Sequence, residues 1–390
     1  MTGSTQTLEP PYRSAIIGTG RIGDTYDEEI LHYPDLELPD EVIHAGMYTA
    51  KPKSLGAGFQ AVDAFDLVAG ANRGRERLEA FGERRNVSNL YTDYEEMLAE
   101  EQLNVVGICT PSPGKCDAVV ACAEAGVDAV IVEKAFATSM EEADRMLEAC
   151  ESAGTFIAVD HPMRFSAMYR ELKRLIDEGE IGDLGHLTTH TGSLVHGATH
   201  DFDIIRYLGG DVTSVYARIP DLEVEHDADN PLNATYDDLR GDVLLTLEDG
   251  QIAHVESTSG SQMGVVLRGT EGYITSPRGG GGVINLVQGR SRPAAEFGYE
   301  DDPEHRPIHD VNWEKRVTDW TSDNDAYNRS ATERLLHELD QTLSEGGSFV
   351  STGEDGAAAL EVGIAAYESA IRGEPVELPL DERRLRVNNK

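Results

Sequence analysis

The chain has 390 residues, with 71 acidic against 33 basic side chains and a formal charge of −38. A surface that negative repels phosphate backbones and anionic lipids, which excludes nucleic acid and membranes as partners. With 39% hydrophobic residues and four cysteines that lack metal-type pairing, the chain reads as a cytoplasmic protein whose core needs neither disulfides nor a structural metal. No apolar run approaches the roughly 20 residues that span a bilayer. Met1 to Pro11 is polar and lacks the basic-then-apolar pattern of a leader.

In chain order, Ser14 to Ile17 is a short apolar run that breaks into Gly18-Thr19-Gly20-Arg21-Ile22-Gly23. Asp24 to Glu41 is acidic, bears prolines and has no clean period. Helical patterning returns near Ile43 to Tyr48. Phe65 to Ala71 is a second strand candidate, and helices are expected over Arg75 to Arg85 and Asp93 to Glu101. Val105 to Cys109 is apolar and stops at Thr110-Pro111. Asp117 to Ala125 has alanine-rich helical spacing and ends at Gly126. Ala129 to Val132 is a further apolar run, closed by Glu133-Lys134. Ser139 to Ala153 reads as a capped helix, with acids in its first turn and Gly154 after its end. Phe156 to Val159 is one more strand.

Short apolar strands alternating with helices predict a parallel sheet covered on both faces, over residues 12 to about 160. After a helix over Leu172 to Glu178 the pattern changes. Val212 to Ile219, Asp242 to Leu247, Ile252 to Ser257 and Val265 to Arg268 are β-branched runs, with Glu248-Asp249-Gly250 as one hairpin-like turn. This half is expected to be a mainly antiparallel sheet. Gly279 to Gly282 reads as a hairpin tip and residues 296 to 325 as a long surface loop. Thr332 to Leu343 and Asp355 to Ile371 are expected helices.

The opening glycines carry the cofactor reading. Gly18 permits a tight turn, Gly20 lets the backbone approach a pyrophosphate, and Gly23 lets the next helix pack on the strand. The N-terminus of that helix would offer free N–H groups to the phosphates. The other reading is a glycine-rich turn without a ligand. The second strand ends much farther on than the usual spacing, so Asp24 to about Glu41 reads as an insertion, either a lid or a surface embellishment. At its end stands Ala71-Asn72-Arg73-Gly74-Arg75 in place of a carboxylate. A neutral amide followed by guanidinium groups suits a 2′-phosphate, so Asn72 and Arg73 point to NADP(H), with NAD(H) as the other candidate. Arg75 and Arg77 are alternatively solvent-facing helix residues. Thr110 and Pro111 end a strand at the same edge and would meet the cofactor through backbone.

Lys134 directly follows an apolar strand, and the carboxyl ends of such strands face the cofactor crevice. A lysine can exchange a proton where an arginine cannot. A dehydrogenase needs a group that takes the alcohol proton as hydride leaves. The alternative is a structural salt bridge with adjacent Glu133. His186, His190, His196 and His200 raise the question of a metal site. The glycines and β-branched residues among them argue against one helix, and the reading is no metal.

The whole set resembles the Gfo/Idh/MocA oxidoreductase family. The matching pieces are Gly18 to Gly23, His44-Ala45-Gly46-Met47-Tyr48, Thr110-Pro111, Glu133-Lys134-Ala135, the stretch Asp160 to Tyr169 with Arg164-Phe165, His200-Asp201-Phe202-Asp203 and the tail from Asp355 to Pro379. The resemblance implies an α/β fold: a Rossmann dinucleotide-binding domain over 1–160. It also implies an α+β domain with an open, mostly antiparallel sheet over 161–390, for substrate binding and oligomerisation. It implies hydride transfer between a nicotinamide and a carbinol carbon of a sugar, polyol or sugar derivative. Cofactor contacts would come from Gly18, Gly20, Arg21, Ile22, Gly23, Asn72, Arg73, Thr110, Pro111, Glu133 and Lys134. Lys134 would be the acid/base, and His200 would contact the reacting hydroxyl. Ala135 stands where the family has proline. His196 stands where many members have an aspartate, either sharing a proton with His200 or shaping the pocket. Arg164 and Asp203 are candidates for substrate binding, Arg164 equally for a structural ion pair and Asp203 for a pair with a histidine or with Arg206.

Two other classes fit the same scaffold. One retains its cofactor and performs redox-assisted elimination, epimerisation or glycoside cleavage. The other is a nucleotide-sensing regulator without turnover, against which Lys134 and His200 argue. An open sheet face needs covering, so a homodimer or homotetramer is expected. The only lysines are Lys51, Lys53, Lys115, Lys134, Lys173, Lys315 and Lys390. An acid-rich, lysine-poor chain resembles proteins adapted to high internal salt, where ions screen self-repulsion. We predict that the melting temperature rises strongly with KCl; a flat profile from low to molar salt would exclude salt adaptation.

Overall fold

In a computed structural model, the described residues are 7–28, 51–224, 230–256, 263–277, 284–288, 315–318 and 329–388. The first sheet comprises β1 (Tyr12–Ile17), β2 (Phe65–Ala71), β3 (Asn89–Tyr91), β4 (Val105–Ile108), β5 (Ala129–Glu133) and β6 (Phe156–Asp160). They lie in the order β3-β2-β1-β4-β5-β6, and every pairing is parallel. The apolar runs read as strands are therefore covered on both faces, and β4 is buried at every position. The order reverses between β1 and β4, which opens a crevice at their carboxyl ends.

The helices of this half are α1 (Leu55–Ala61), α2 (Arg75–Arg85), α3 (Tyr94–Glu100), α4 (Lys115–Glu124) and α5 (Met140–Ala153). α5 follows its sequence signals. Ser139 caps it by accepting a hydrogen bond from the Glu142 N–H, and Gly154 ends it at φ 78°.

The segment after the glycines does not form the expected α-helix. Arg21–Thr25 makes a single π-turn, in which the Asp24 and Thr25 N–H groups donate to the Gly20 carbonyl at 2.8 and 3.2 Å. The helix that packs on β1 and β2 is α1, beyond the inserted residues. Asp24 is buried and pairs with Arg84 and with Arg85 Nε, the latter at 2.8 Å. The Asp27 carboxylate accepts from the Lys53 and Ser54 N–H groups at 2.8 and 3.0 Å, which ties the start of the insertion to the chain beyond it. Most of that insertion and His44 to Tyr48 lie outside the described residues, as do Gly279 to Gly282.

Three helices of the second half are α6 (Pro162–Phe165), α7 (Ala167–Asp177) and α8 (Thr199–Gly209). Its first strands are β7 (Leu184–His190), β8 (Val212–Arg218), β9 (Thr235–Asp237), β10 (Asp242–Leu247) and β11 (Ile252–Glu256). Next come β12 (Met263–Gly269), β13 (Gly272–Pro277), β14 (Ile284–Gln288) and β15 (Lys315–Thr318). The chain closes with α9 (Ala331–Glu345), α10 (Gly353–Arg372), β16 (Val376–Glu377) and β17 (Arg386–Asn388). Among the described residues the second sheet has nine strands, in the order β15-β14-β13-β12-β7-β11-β10-β8-β16. It is antiparallel except where β11 runs parallel to β7. The long loop expected over 296 to 325 is corrected in part: Lys315–Thr318 hydrogen-bonds to β14 as the edge strand. Its two basic residues suit an edge.

α10 covers one face of this sheet, and Ser369 Oγ accepts from the Ala217 N–H at 3.0 Å. The other face leaves Tyr216 46% and Leu244 45% exposed. The C-terminal helices also reach the first half. Tyr12 Oη donates to Asp340 at 3.0 Å, and α10 packs on α5 and β6. Among the described residues no helix is long and apolar enough to cross a membrane.

Candidate active site

The carboxyl ends of β1, β4, β5 and β6 meet at one cavity of about 990 Å³. That volume is in the range of small-molecule and cofactor sites. Gly18 turns the chain here at φ 95°, and a β-carbon on it would lie 2.9 Å from the Cys109 carbonyl carbon. A β-carbon on Gly23 would lie 2.2 Å from the Gly18 carbonyl oxygen, so the π-turn folds back directly onto the strand end. Gly20 is open toward the cavity, where the nearest atom to a built β-carbon is Arg77 Nη1 at 3.7 Å. Gly18, Gly20, Arg21 and Ile22 line the cavity, whereas Gly23 serves the packing beneath it.

Asn72 and Arg73 line the cavity at the end of β2. The two arginines of α2 part company. Arg75 turns outward to Glu79 at 2.9 Å, whereas Arg77 lines the cavity. Thr110 and Pro111 lie in the same wall, and Thr110 Oγ1 is buried without a partner among the described residues. A bare glycine turn, three guanidinium groups and an orphaned hydroxyl in one crevice fit a dinucleotide.

Glu133 and Lys134 lie at the end of β5, with Asp160 opposite Glu133 on β6. The Lys134–Ala135 peptide bond is cis. Lys134 Nζ donates to the His196 carbonyl at 3.1 Å and lies 3.4 Å from His196 Nε2 and 3.9 Å from Glu133 Oε1. Burial pushes the His196 pKa below its ordinary value, and the Lys134 charge adds to the fall. A neutral ring can accept from the ammonium through Nε2. The loop that carries His196 is tied down by Asp238, whose carboxylate accepts from the Val195 and His196 N–H groups at 2.8 and 2.7 Å. His200 stands on the first turn of α8 and lines the same cavity. Burial pushes the Asp160 carboxyl up to about 7, with Glu133 adding to the rise and Lys134 and Lys115 opposing it. The crevice thus gathers an amine, two imidazoles and two carboxyl groups, a set able to relay a proton.

Arg164 and Asp203, candidates for the substrate, stand here in the structural alternative considered for each. Neither is among the cavity-lining residues. Both are buried and paired: Arg164 Nη2 lies 2.8 Å from Asp203 Oδ1, and Arg164 Nη1 lies 3.0 Å from Asp355. His161 Nδ1 also lies 3.0 Å from Asp203. The physical reason is that α6, α8 and the start of α10 converge here. Acidic residues buried at their ends need a counter-charge. Burial alone would raise the Asp203 pKa, but His161 and Arg164 outweigh it and hold the carboxyl below its ordinary range.

The histidines considered for a metal lie apart. His186 and His190 share one face of β7, and His190 pairs with Glu256 at 3.0 Å. Among the described residues no three His, Cys, Asp or Glu groups could hold an ion. Sequence reasoning missed Lys115, Asp160, Tyr26, Lys53, Ser330 and Thr332. Lys115 is wholly buried beneath the site, and the others line the cavity. Lys115 carried a usable signal, because it too is a lysine in an arginine-using chain, at the start of an alanine-rich helical pattern. Ser330 and Thr332 carried none, being brought in by the packing of α9.

A family model described as oxidoreductase family, NAD-binding Rossmann fold, matches residues 12–161. A second, described as oxidoreductase family, C-terminal alpha/beta domain, matches residues 186–378. The uncharacterized oxidoreductase YrbE of Bacillus subtilis is 23% identical over 95% of this chain and 97% of its own. The scyllo-inositol 2-dehydrogenase (NAD(+)) of the same organism is 28% identical over 68% of this chain and 74% of its own. The crystal structure of the WlbA dehydrogenase from Bordetella pertussis, in complex with NADH and UDP-GlcNAcA, superposes with a TM-score of 0.67 at 20% identity. It covers 95% of this chain and 99% of that one.

We predict that Arg164→Met destabilises the fold by about 3–5 kcal/mol, because it strands buried carboxylates. The wild-type contribution of Asp203 is complete above the ordinary carboxylate range and is lost as the pH falls through its depressed pKa. Thermal melts of both proteins from neutral to acid pH should therefore converge on acidification.

Proposed function

Because this chain belongs to the Gfo/Idh/MocA oxidoreductase family, an NAD(P)-dependent enzyme of CH–OH groups, we propose that Lys134 is its acid/base on a carbohydrate carbinol, with NADP(H) as coenzyme. The observation that carries this reading is the Lys134 amine itself, seated at the end of β5 in the cavity that holds the glycine turn. When bound, the coenzyme supplies a nicotinamide that accepts or returns a hydride. Oxidation of a carbinol also releases a proton from its oxygen. In oxidation the Lys134 ammonium first passes a proton to the neutral His196 ring, and the free amine then takes the carbinol proton; in reduction the ammonium returns it. His196, 3.4 Å away, orients the amine, and His200 hydrogen-bonds the substrate hydroxyl. Gly18, Gly20, Arg21 and Ile22 would hold the pyrophosphate, and Thr110, Pro111 and Glu133, in the same cavity wall, would contact the coenzyme.

The substrate class is supported by the company this chain keeps. The relatives include enzymes named for inositols, and the Bordetella structure holds a sugar nucleotide. For the coenzyme, two of the three relatives named above carry NAD(+) or NADH in their name or title. What supports NADP(H) here is chemical. No carboxylate ends β2, and Arg73 and Arg77 both line the cavity beside Asn72. A paired guanidinium grip on a 2′-phosphate is strong, and a ribose hydroxyl gives it nothing to hold. We assign the division between the domains to the end of β6, and oligomerisation to the open sheet face around Tyr216 and Leu244.

The test is absorbance at 340 nm with NADP⁺ or NAD⁺ against inositols, aldoses and sugar nucleotides. Net NADPH formation distinguishes a dehydrogenase from a retained-cofactor enzyme. We expect Lys134→Ala to lower kcat by about 10²- to 10⁴-fold, with NADPH binding preserved in a fluorescence titration. Equal loss of binding and turnover would remove Lys134 from the chemistry. Arg73→Ala and Arg77→Ala should each raise KM for NADP⁺ by about ten-fold, the worth of a charge-assisted hydrogen bond, and leave KM for NAD⁺ nearly unchanged. Equal effects on the two coenzymes would point to NAD(H).

A further inference from the structure

Lys115 sits beneath the candidate site and has no task in the chemistry just described. It opens α4, and its side chain is 0% exposed. Its Nζ donates to the main-chain carbonyls of Glu133 and Ala135, the latter at 2.7 Å. Those are the residues on either side of Lys134. The same Nζ lies 3.7 Å from Glu133 Oε2, while Lys134 Nζ lies 3.9 Å from Glu133 Oε1. One carboxylate therefore stands between two ammonium groups. The other ionisable neighbours are Cys109 after β4, Asp160 on β6 and His196 before α8. Burial pushes Lys115 down to about 8; Glu133 opposes that fall and Lys134 adds to it.

A poorly solvated carboxylate attracts the nearest cation more strongly than it would in water. Without Lys115, Glu133 would have Lys134 as its adjacent ammonium partner, and two buried carbonyls would lose their donor. We propose that Lys115 is a positioning residue for the reaction, a reading that rests on Lys134 as acid/base. It satisfies Glu133 and pins the main chain on both sides of Lys134, which leaves the Lys134 amine turned toward His196 and the cavity instead of closed onto Glu133.

The experiment uses the full chain with Lys115→Met, Glu133→Gln and the double variant, each checked for folding by thermal melt. Lys115→Met should lower kcat about ten-fold or more, as misplacement of a reacting group does, with little change in KM for the coenzyme. Adding Glu133→Gln removes the carboxylate that captures Lys134. The double variant should recover most of the loss relative to Glu133→Gln alone. Trace acetylation with acetic anhydride, read by mass spectrometry, follows the Lys134 amine without any substrate. Lys134 labelling relative to exposed Lys51 should fall in Lys115→Met and return in the double variant. If the wild type proves to have no turnover, the function proposed above fails while the labelling still decides the placement of Lys134. Labelling that is the same in wild type and Lys115→Met overturns the proposal, as does a double variant no better than the single. Should Lys115→Met not fold, Lys115→Gln takes its place. If neither folds, Lys115 serves stability alone and the proposal is overturned.

Discussion

An ammonium group can face a cavity from the end of a buried strand only if the carboxyl groups around it are satisfied by something else. That constraint governs this site. The ends of β5 and β6 bring Glu133 and Asp160 side by side, because parallel strands in register place equivalent positions together. A chain with 71 acidic residues has few cations to spend on them. Two of its lysines are found there, one sunk beneath the strand ends and one above them. The arrangement of Lys134 toward His196 follows from that division of labour, and so does the need for a rigid main chain around it.

The fold was legible where the sequence repeats a simple physical pattern. Apolar runs at Val105 to Ile108 and Ala129 to Val132 can only be strands covered on both faces, and the structure has them so. Ser139 and Gly154 bracket α5 because a cap hydroxyl and a left-handed residue have few other uses. The glycine turn and Lys134 were legible for a related reason. Strand ends in such a sheet share one edge, so adjacency to a strand is enough to bring distant residues to one crevice.

Other parts were hidden because they depend on contacts between segments far apart in sequence. Arg164 and Asp203 have the look of ligand-binding residues, being charged and near motif positions. Only the convergence of α6, α8 and α10 shows that they neutralise one another. Arg75 and Arg77 stand two apart in one short segment, yet half a helical turn separates solvent from cavity. The strand at Lys315–Thr318 was concealed by acidic, proline-containing flanks, since an edge strand needs a partner on one side alone. The π-turn after Gly20 has no sequence signature beyond Asp24, whose burial against Arg84 and Arg85 appears only in three dimensions.

The Asp27 carboxylate, by accepting from the Lys53 and Ser54 N–H groups, ties the start of a long inserted stretch to the chain beyond it. For a segment whose ends already meet, loop-closure entropy grows only with the logarithm of its length. Residues can then be gained or lost between those anchors at small thermodynamic penalty, while α1 keeps its seat on β1 and β2. Tyr26 and Lys53, at the foot of the stretch, both line the cavity. A change in chain length between them therefore reaches the cavity through these two side chains, while β1, β4 and β5 keep their places.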